Sequence, residues 1–278
     1  MTMSKSVQVN DKFFEEYVSD DAVRKYTTGT AGFGINYLLR NDYAKVYLNA
    51  IESYLRTTPP RPLRLLEFGC GAGMNIISLV SLLEEKGISV ECAFGTDFSP
   101  RLIESAAEEA KSSLPPGPAK KVSFYVASNE RLAGDLAAAR GGQINELLGF
   151  FDLIIGVNTF RYCHRLGMER ECAADIYRLL RPGGVCINID MNDRFPAFRS
   201  KLKHSVEDEN ECYIPSLDEY ASPFKTAGFE ILKKGNFCWI PHSAGRFLTL
   251  WCRILTPLFN LVAPSRAMRS LVVARKTD

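Results

Sequence analysis

The stretch that most constrains how this chain can fold is Leu65-Leu66-Glu67-Phe68-Gly69-Cys70-Gly71-Ala72-Gly73-Met74-Asn75. An apolar run ends in an acid, passes through three alternate glycines, and enters a helical pattern that runs from Met74 towards Lys86. The order is strand, tight turn, helix. Alternate glycines bring bare backbone N–H groups, and the N-terminus of the following helix, up to whatever occupies the space beyond the strand. A Cβ at those positions would hold a ligand off the backbone.

The rest of the chain repeats the alternation. Short apolar runs at Leu63–Phe68, Ile88–Gly95, Val122–Ala127, Phe151–Val157 and Val185–Asp190 are separated by helical patterns at Met74–Lys86, Pro100–Ser112, Glu130–Arg140 and Glu169–Leu180. This rhythm means βαβ units and a mostly parallel sheet covered on both faces. Turn chemistry agrees. Ser99-Pro100 is an N-cap followed by proline at the first helical position, and Arg181-Pro182-Gly183-Gly184 stops one helix and opens a strand. Pro115 to Pro118 reads as a loop. Ser216-Leu217-Asp218-Glu219 is a capping box for a helix that Gly228 ends, and Phe229–Lys233 and Ser270–Arg275 read as the last two strands.

The organisation that follows is a helical N-terminal cap over residues 1–60, with a glycine-rich break from Thr28 to Gly34, then a ligand-binding core over 61–192 and a C-terminal part over 193–278 that completes the sheet. Within the C-terminal part, an apolar insertion spans 237–268, interrupted by Pro241, Pro257 and Pro264. Charge is uneven. The net charge is +2, yet Ile231 to Thr277 holds eight Lys or Arg and neither Asp nor Glu. A segment of that kind seeks an anionic partner or presents a solvated basic face.

The glycine spacing separates two cofactor classes. A diphosphate-binding turn reads G-x-G-x-x-G, whereas here the third glycine comes one residue early and Met74 stands in the last glycine's place. Glu67 is a poor neighbour for a diphosphate and a good one for a cation. The pattern E-x-G-x-G-x-G resembles the first motif of class I S-adenosylmethionine-dependent methyltransferases, whose loop cradles the amino-acid end of a sulfonium cofactor.

Further motifs stand in that family's order. Phe94-Gly95-Thr96-Asp97-Phe98 ends the second strand in an acid suited to both ribose hydroxyls, with Phe98 beside the base. Val126-Ala127-Ser128-Asn129 follows the third strand, and Ser128 stands where the family usually has an acid that touches the adenine amino group. A Ser or Asn oxygen accepts the same bond more weakly. Phe151-Asp152-Leu153-Ile154-Ile155-Gly156-Val157-Asn158-Thr159 resembles the fourth motif, and Leu179-Leu180-Arg181-Pro182-Gly183-Gly184 resembles the family's entry to the fifth strand.

The resemblance implies an α/β fold, Rossmann-like and doubly wound, with a mostly parallel sheet, an antiparallel last strand, an N-terminal helical cap and a C-terminal helical insertion. It implies S-adenosyl-L-methionine as cofactor, held by Glu67, Gly69, Cys70, Gly71, Gly73, Asp97, Phe98, Ser128, Asn129 and Asn158. His164, just past the fourth strand, is the expected proton acceptor. Tyr26, Tyr37, Thr159, Arg161 and Tyr162 are the expected acceptor-side residues, with Thr30 beside them in the cap.

No metal site is expected. The eight cysteines form no C-x-x-C pair and read as reduced core thiols of a cytoplasmic protein. The first twenty residues lack the apolar core of a signal peptide, and no run reaches a membrane-spanning length. The partner expected is a small-molecule acceptor, lipid-like or anionic. Nucleic acid is not expected, because Asn158 is followed by Thr159 and Phe160 and not by the proline pair of the family's nucleic-acid amino-methylating members. Apolar stretches at Phe247–Leu255 and Leu258–Val262, bordered by Arg246, Arg253, Arg266 and Arg269, suggest three uses for 237–269: walls of an apolar acceptor pocket with a basic rim, a peripheral membrane contact, or a subunit interface. A non-catalytic cofactor-binding regulator or assembly protein on the same fold is the other functional reading, left open by the serine at 128.

Overall fold

The structure, a computed structural model, describes residues 32–196 and 214–277. Among the described residues, α1 (Phe33–Arg40) and α2 (Asp42–Thr57) precede the first strand. The core then runs β1 (Leu63–Phe68), α3 (Met74–Glu85), β2 (Val90–Asp97), α4 (Pro100–Ser113), α5 (Pro116–Ala119), β3 (Val122–Val126), α6 (Leu132–Ala139), β4 (Phe151–Val157), α7 (Phe160–Leu166), α8 (Glu169–Leu179) and β5 (Leu180–Met191). The C-terminal part adds α9 (Leu217–Thr226), β6 (Phe229–Phe237), α10 (Arg246–Val262) and β7 (Arg269–Lys276).

The sheet has the order β3-β2-β1-β4-β5-β7-β6. β1 to β5 pair in parallel, and β7 lies antiparallel between β5 and β6. The order reverses between β1 and β4. In open α/β sheets a crevice forms at such a reversal, beyond the carboxyl ends of the strands. Because β7 is antiparallel, its first residue, Arg269, pairs with Met191 at the end of β5 and with Phe237 at the end of β6. The start of the last strand therefore stands on the same edge as the ends of the others.

Strand side chains alternate between two apolar layers. Leu63, Leu65, Leu153, Ile155 and Ile187 face α1, α2 and α3, whereas Leu66, Phe68, Ile154 and Cys186 face α6, α8 and α9. The seven cysteines of the described residues are free thiols, most of them buried in these layers.

Several local readings shift. Pro116–Ala119 is a short helix, not a loop. Residues 181–184 are drawn into β5 as an irregular start, between the pairs Phe151↔Leu180 and Leu153↔Val185. Gly34 lies inside α1, not in a break before it. Pro257 does not split the insertion: α10 runs through it as one 17-residue helix. A proline there forfeits one i→i−4 bond, but Pro257 and Arg253, one turn back, both lie on the exposed side, where solvent can take the freed carbonyl.

At the opposite edge of the sheet, buried Asp152 joins the cap to the core. Its Oδ2 accepts from the Arg64 amide at 2.8 Å, and its Oδ1 takes the Tyr54 hydroxyl of α2 and lies 3.0 Å from Arg61 and 3.2 Å from Arg181. Removing one partner of a buried charge cluster leaves the others uncompensated. Asp152→Ala is expected to cost roughly 3–5 kcal/mol of stability, read from denaturant midpoints at neutral pH; a loss below about 1 kcal/mol, the value of an exposed pair, would show the cluster to be inessential.

Candidate active site

The glycine turn takes its shape from two carboxyl groups. Glu67 is fully buried at the end of β1, and its Oε2 accepts the amide of Ile76 in the first turn of α3 at 2.8 Å. Asp97, at the end of β2, accepts the amide of Gly71 at 3.0 Å through Oδ2 and that of Ser99 at 3.0 Å through Oδ1. Strand end, glycine turn and helix start are thus bound to one another before any ligand arrives. Gly73 has φ +81°, and a Cβ there would press on Ile77, Ala106 and Phe124. Gly71 has φ +55°, and its Cβ direction meets no atom within 4 Å, so open space lies directly over the turn. Cys70 packs inward, its thiol reaching the Gly71 carbonyl at 3.4 Å.

The turns after β3 and β4 close on the glycine turn. Asn129 donates through Nδ2 to Thr159 Oγ1 at 2.7 Å, and the Thr159 side chain lies where a Cβ on Gly69 would stand. Ser128 donates to Asp135 Oδ2 at 2.8 Å, so a carboxylate from α6 stands behind the serine that occupies the usual acid's place. Phe98 is half-buried and Val126 exposed along this edge. Asn158 sits at φ +55° immediately after β4.

A polar cluster that sequence reasoning did not assemble adjoins Asn158. Arg269 is 4% exposed; its Nη1 donates to Asn158 Oδ1 at 3.0 Å and its Nη2 to His242 Nε2 at 2.6 Å. The Tyr43 hydroxyl of α2 lies 3.2 Å from the same imidazole nitrogen. Arginine cannot accept, so Nε2 of His242 is the acceptor and the ring is neutral. Burial and then Arg269 hold the His242 pKa down to about 3. The Arg269 Nε–H is buried and has no hydrogen-bond partner. Sequence analysis set Arg269 on the rim of the apolar insertion, and the structure corrects this: antiparallel β7 turns it inward to the strand-end edge. The available signal was a cation placed just before the apolar run Leu271–Ala274 of the last strand.

Arg161 and Asp190 form a second buried pair, with Nε 3.2 Å from Oδ1, and Arg161 also donates to the Tyr162 hydroxyl at 2.6 Å. His164, on α7, packs edge-on against Phe160 and stacks on Tyr220 of α9, with Glu169 and Glu219 as its charged neighbours. Burial lowers its pKa, which keeps it neutral at physiological pH. Its ring partners belong to α7 and α9 and not to the glycine turn. Tyr37 of α1 is half-buried and lies in the electrostatic reach of Arg253 on α10. Tyr26 and Thr30 fall outside the described residues.

Comparison with known proteins identifies this architecture. Residues 61–245 match the family described as a methyltransferase domain, and the chain belongs to it. A non-reducing polyketide synthase, sorB, of Penicillium rubens is 31% identical over 187 residues, which is 62% of this chain and 6% of that protein. Among solved structures, the CMeT domain of the citrinin polyketide synthase superposes with a TM-score of 0.58 at 16% identity, covering 95% of this chain and 59% of that one. A SAM-dependent methyltransferase from Aquifex aeolicus gives 0.55 at 14% identity, covering 93% and 99%. By family match and fold the chain is a member of the class I methyltransferase family, whose cofactor is S-adenosylmethionine. The open space over Gly71, the carboxyl group ending β2 and the exposed start of the third-strand turn fit that cofactor's polarity.

Burial pushes the Glu67 carboxyl up from its ordinary 4.5 to about 8, against the opposing bonds from Ile76 and Asn75. A carboxyl whose folded pKa lies above its unfolded value contributes stability that is complete below the unfolded pKa and is lost as pH rises through the folded one. The stability of the wild type relative to Glu67→Gln is therefore expected to fall between pH 4.5 and about 8. Denaturation curves of both proteins across that window check it; parallel pH profiles would mean that Glu67 is ionised throughout.

Proposed function

We propose that the chain transfers the methyl group of S-adenosylmethionine to an oxygen, nitrogen or carbon atom of a small-molecule acceptor of anionic or lipid-like character. The observation that carries the acceptor class is Arg269: a buried guanidinium at the strand-end edge, hydrogen-bonded to two neutral groups, with Asp190 in its electrostatic reach and with Nε–H unspent. An acceptor oxygen that bears negative charge, as in an enolate, phenolate or carboxylate, offers the bond that Arg269 lacks.

The cofactor residues divide the ligand among them in this reading. The turn Gly69-Cys70-Gly71-Ala72-Gly73 and the start of α3 take the amino-acid end, with Glu67 acting from behind through its hold on the start of α3. Asp97 takes the ribose hydroxyls. Phe98 flanks the adenine, and Ser128 and Asn129 accept from its amino group; the hydroxyl of Ser128 keeps lone pairs free while it donates to Asp135. Asn158, steadied by Arg269, divides the cofactor from the acceptor side, with Thr159, Arg161, Tyr162 and Tyr37 around the acceptor.

When bound, the cofactor supplies an electrophilic methyl on a sulfonium, so the protein has to align the acceptor and manage its proton. Arg269 steadies negative charge on the acceptor and so lowers the cost of losing that proton. His242 cannot take the proton while its Nε2 accepts from Arg269. His164, kept neutral by burial and a few residues past β4, is the histidine that this reading assigns to the proton. The polyketide synthase relative and the CMeT domain make an activated carbon acid the first acceptor class to test.

Two outcomes are expected. S-adenosylmethionine binds with micromolar affinity, about −8 kcal/mol, and Gly71→Val abolishes that binding in calorimetry while the thermal transition persists; tight binding of NAD with none of the sulfonium overturns the cofactor assignment. In a screen with labelled methyl donor and enolisable, phenolic and carboxylate acceptors, Arg269→Gln and His164→Ala each lower turnover by about 10²-fold with cofactor affinity unchanged. Unaltered turnover in His164→Ala removes it from the chemistry, and an Arg269→Gln defect confined to cofactor affinity removes Arg269 from the acceptor side.

A further inference from the structure

α10 is the element that the fold and the site leave unexplained. One side of it is seated on the body: Thr249 is buried, Phe259 packs on Trp239 with ring centroids 5.1 Å apart, and Trp239 donates to Asn260 at 2.7 Å. The other side carries Phe247, Leu250, Trp251, Ile254, Leu258 and Leu261, exposed by 49–81%. Their spacing follows the helical repeat, so they form one stripe along the full length of the helix. Sequence analysis offered this segment as the wall of an apolar pocket, and the structure corrects that reading: the apolar face points away from the protein. A contiguous apolar stripe of this size on a soluble body marks an interaction surface.

We propose that α10 lies in the surface of an anionic lipid bilayer, with its apolar stripe in the acyl boundary and its arginines among the headgroup phosphates. The charges select this occupant. Arg246 opens the helix, Arg253 is exposed midway, Arg266 is exposed just after it, and Ile231 to Thr277 contains no acid to oppose them. A second copy docked face to face would set these cations against their own images, with Asp42 of α2, near Arg253, as an acid within reach. A headgroup layer supplies both requirements at once, apolar depth beneath the stripe and negative charge along its borders. At 17 residues and about 1.5 Å per residue the helix falls short of the hydrocarbon thickness, and among the described residues no helix is long and apolar enough to cross a membrane. It lies in the plane. α10 also links His242, just before it, to Arg269, just after it, so docking brings the acceptor side of the site to the lipid surface. The docking itself is independent of the methyl-transfer reading.

Sedimentation of the full chain with vesicles tests the proposal without reference to activity. The expected result is partition onto vesicles of mixed phosphatidylglycerol and phosphatidylcholine, weakened at high salt and slight on phosphatidylcholine alone. Ile254→Glu combined with Leu258→Glu, two exposed positions, should reduce partition tenfold or more while circular dichroism stays unchanged. Arg246→Ala with Arg253→Ala should reduce it chiefly at low salt. Absence of partition at either salt overturns the proposal, as does partition that both double variants leave intact. Light scattering that shows a dimer, converted to monomer by Ile254→Glu with Leu258→Glu, assigns the stripe to a second copy instead.

Discussion

The site depends on two buried or nearly buried carboxyl groups that reach from strand ends to backbone amides. Asp97 holds Gly71, and Glu67 holds Ile76. Each ties a strand of the parallel sheet to the glycine turn or to the helix it opens, so the turn has no freedom to collapse into the space it borders. The cost is electrostatic: burial raises both carboxyl pKa values, although backbone donors oppose the rise. A loop organised in this way meets its ligand with amides already aimed, which avoids an ordering penalty on binding.

The strand-end edge beyond β4 and β5 uses charge differently. Arg269 is buried, hydrogen-bonded to neutral Asn158 and His242 within reach of the Asp190 carboxyl, and by occupying His242 it removes that histidine from proton chemistry. Its placement follows from β7 running against the other strands, which carries the first residue of the strand to the edge where the parallel strands end. Asn158, held at φ +55°, connects this cation to the crevice at the order reversal between β1 and β4. The same connection between β6 and β7 throws out α10, so one excursion of the chain supplies both a buried cation and an exposed apolar helix.

Most of the architecture was legible in local patterns. Runs of apolar residues, helix caps such as Ser99 and Ser216, and the glycine turn depend on neighbours within a few residues, and the structure repeats them with shifts at their ends. Pro257 misled because its penalty is local while its remedy, exposure of the freed carbonyl, depends on which way the helix faces. The Arg269–His242–Tyr43 cluster was illegible for a related reason. Tyr43 and Arg269 stand more than 200 residues apart in the chain, and no spacing rule links a cap helix to the first residue of the last strand.

By itself, then, the sequence determined the class of fold, the order of the strands' motifs and the family's cofactor turn, because these rest on periodicity, glycine φ preference and capping, all short-range. Tertiary structure alone decided that Glu67 works from within the core, that Arg269 is buried at the strand-end edge and that the apolar side of α10 faces outward. Those outcomes are set by strand direction and by the sharing of buried surface among distant elements, which a one-dimensional pattern does not encode.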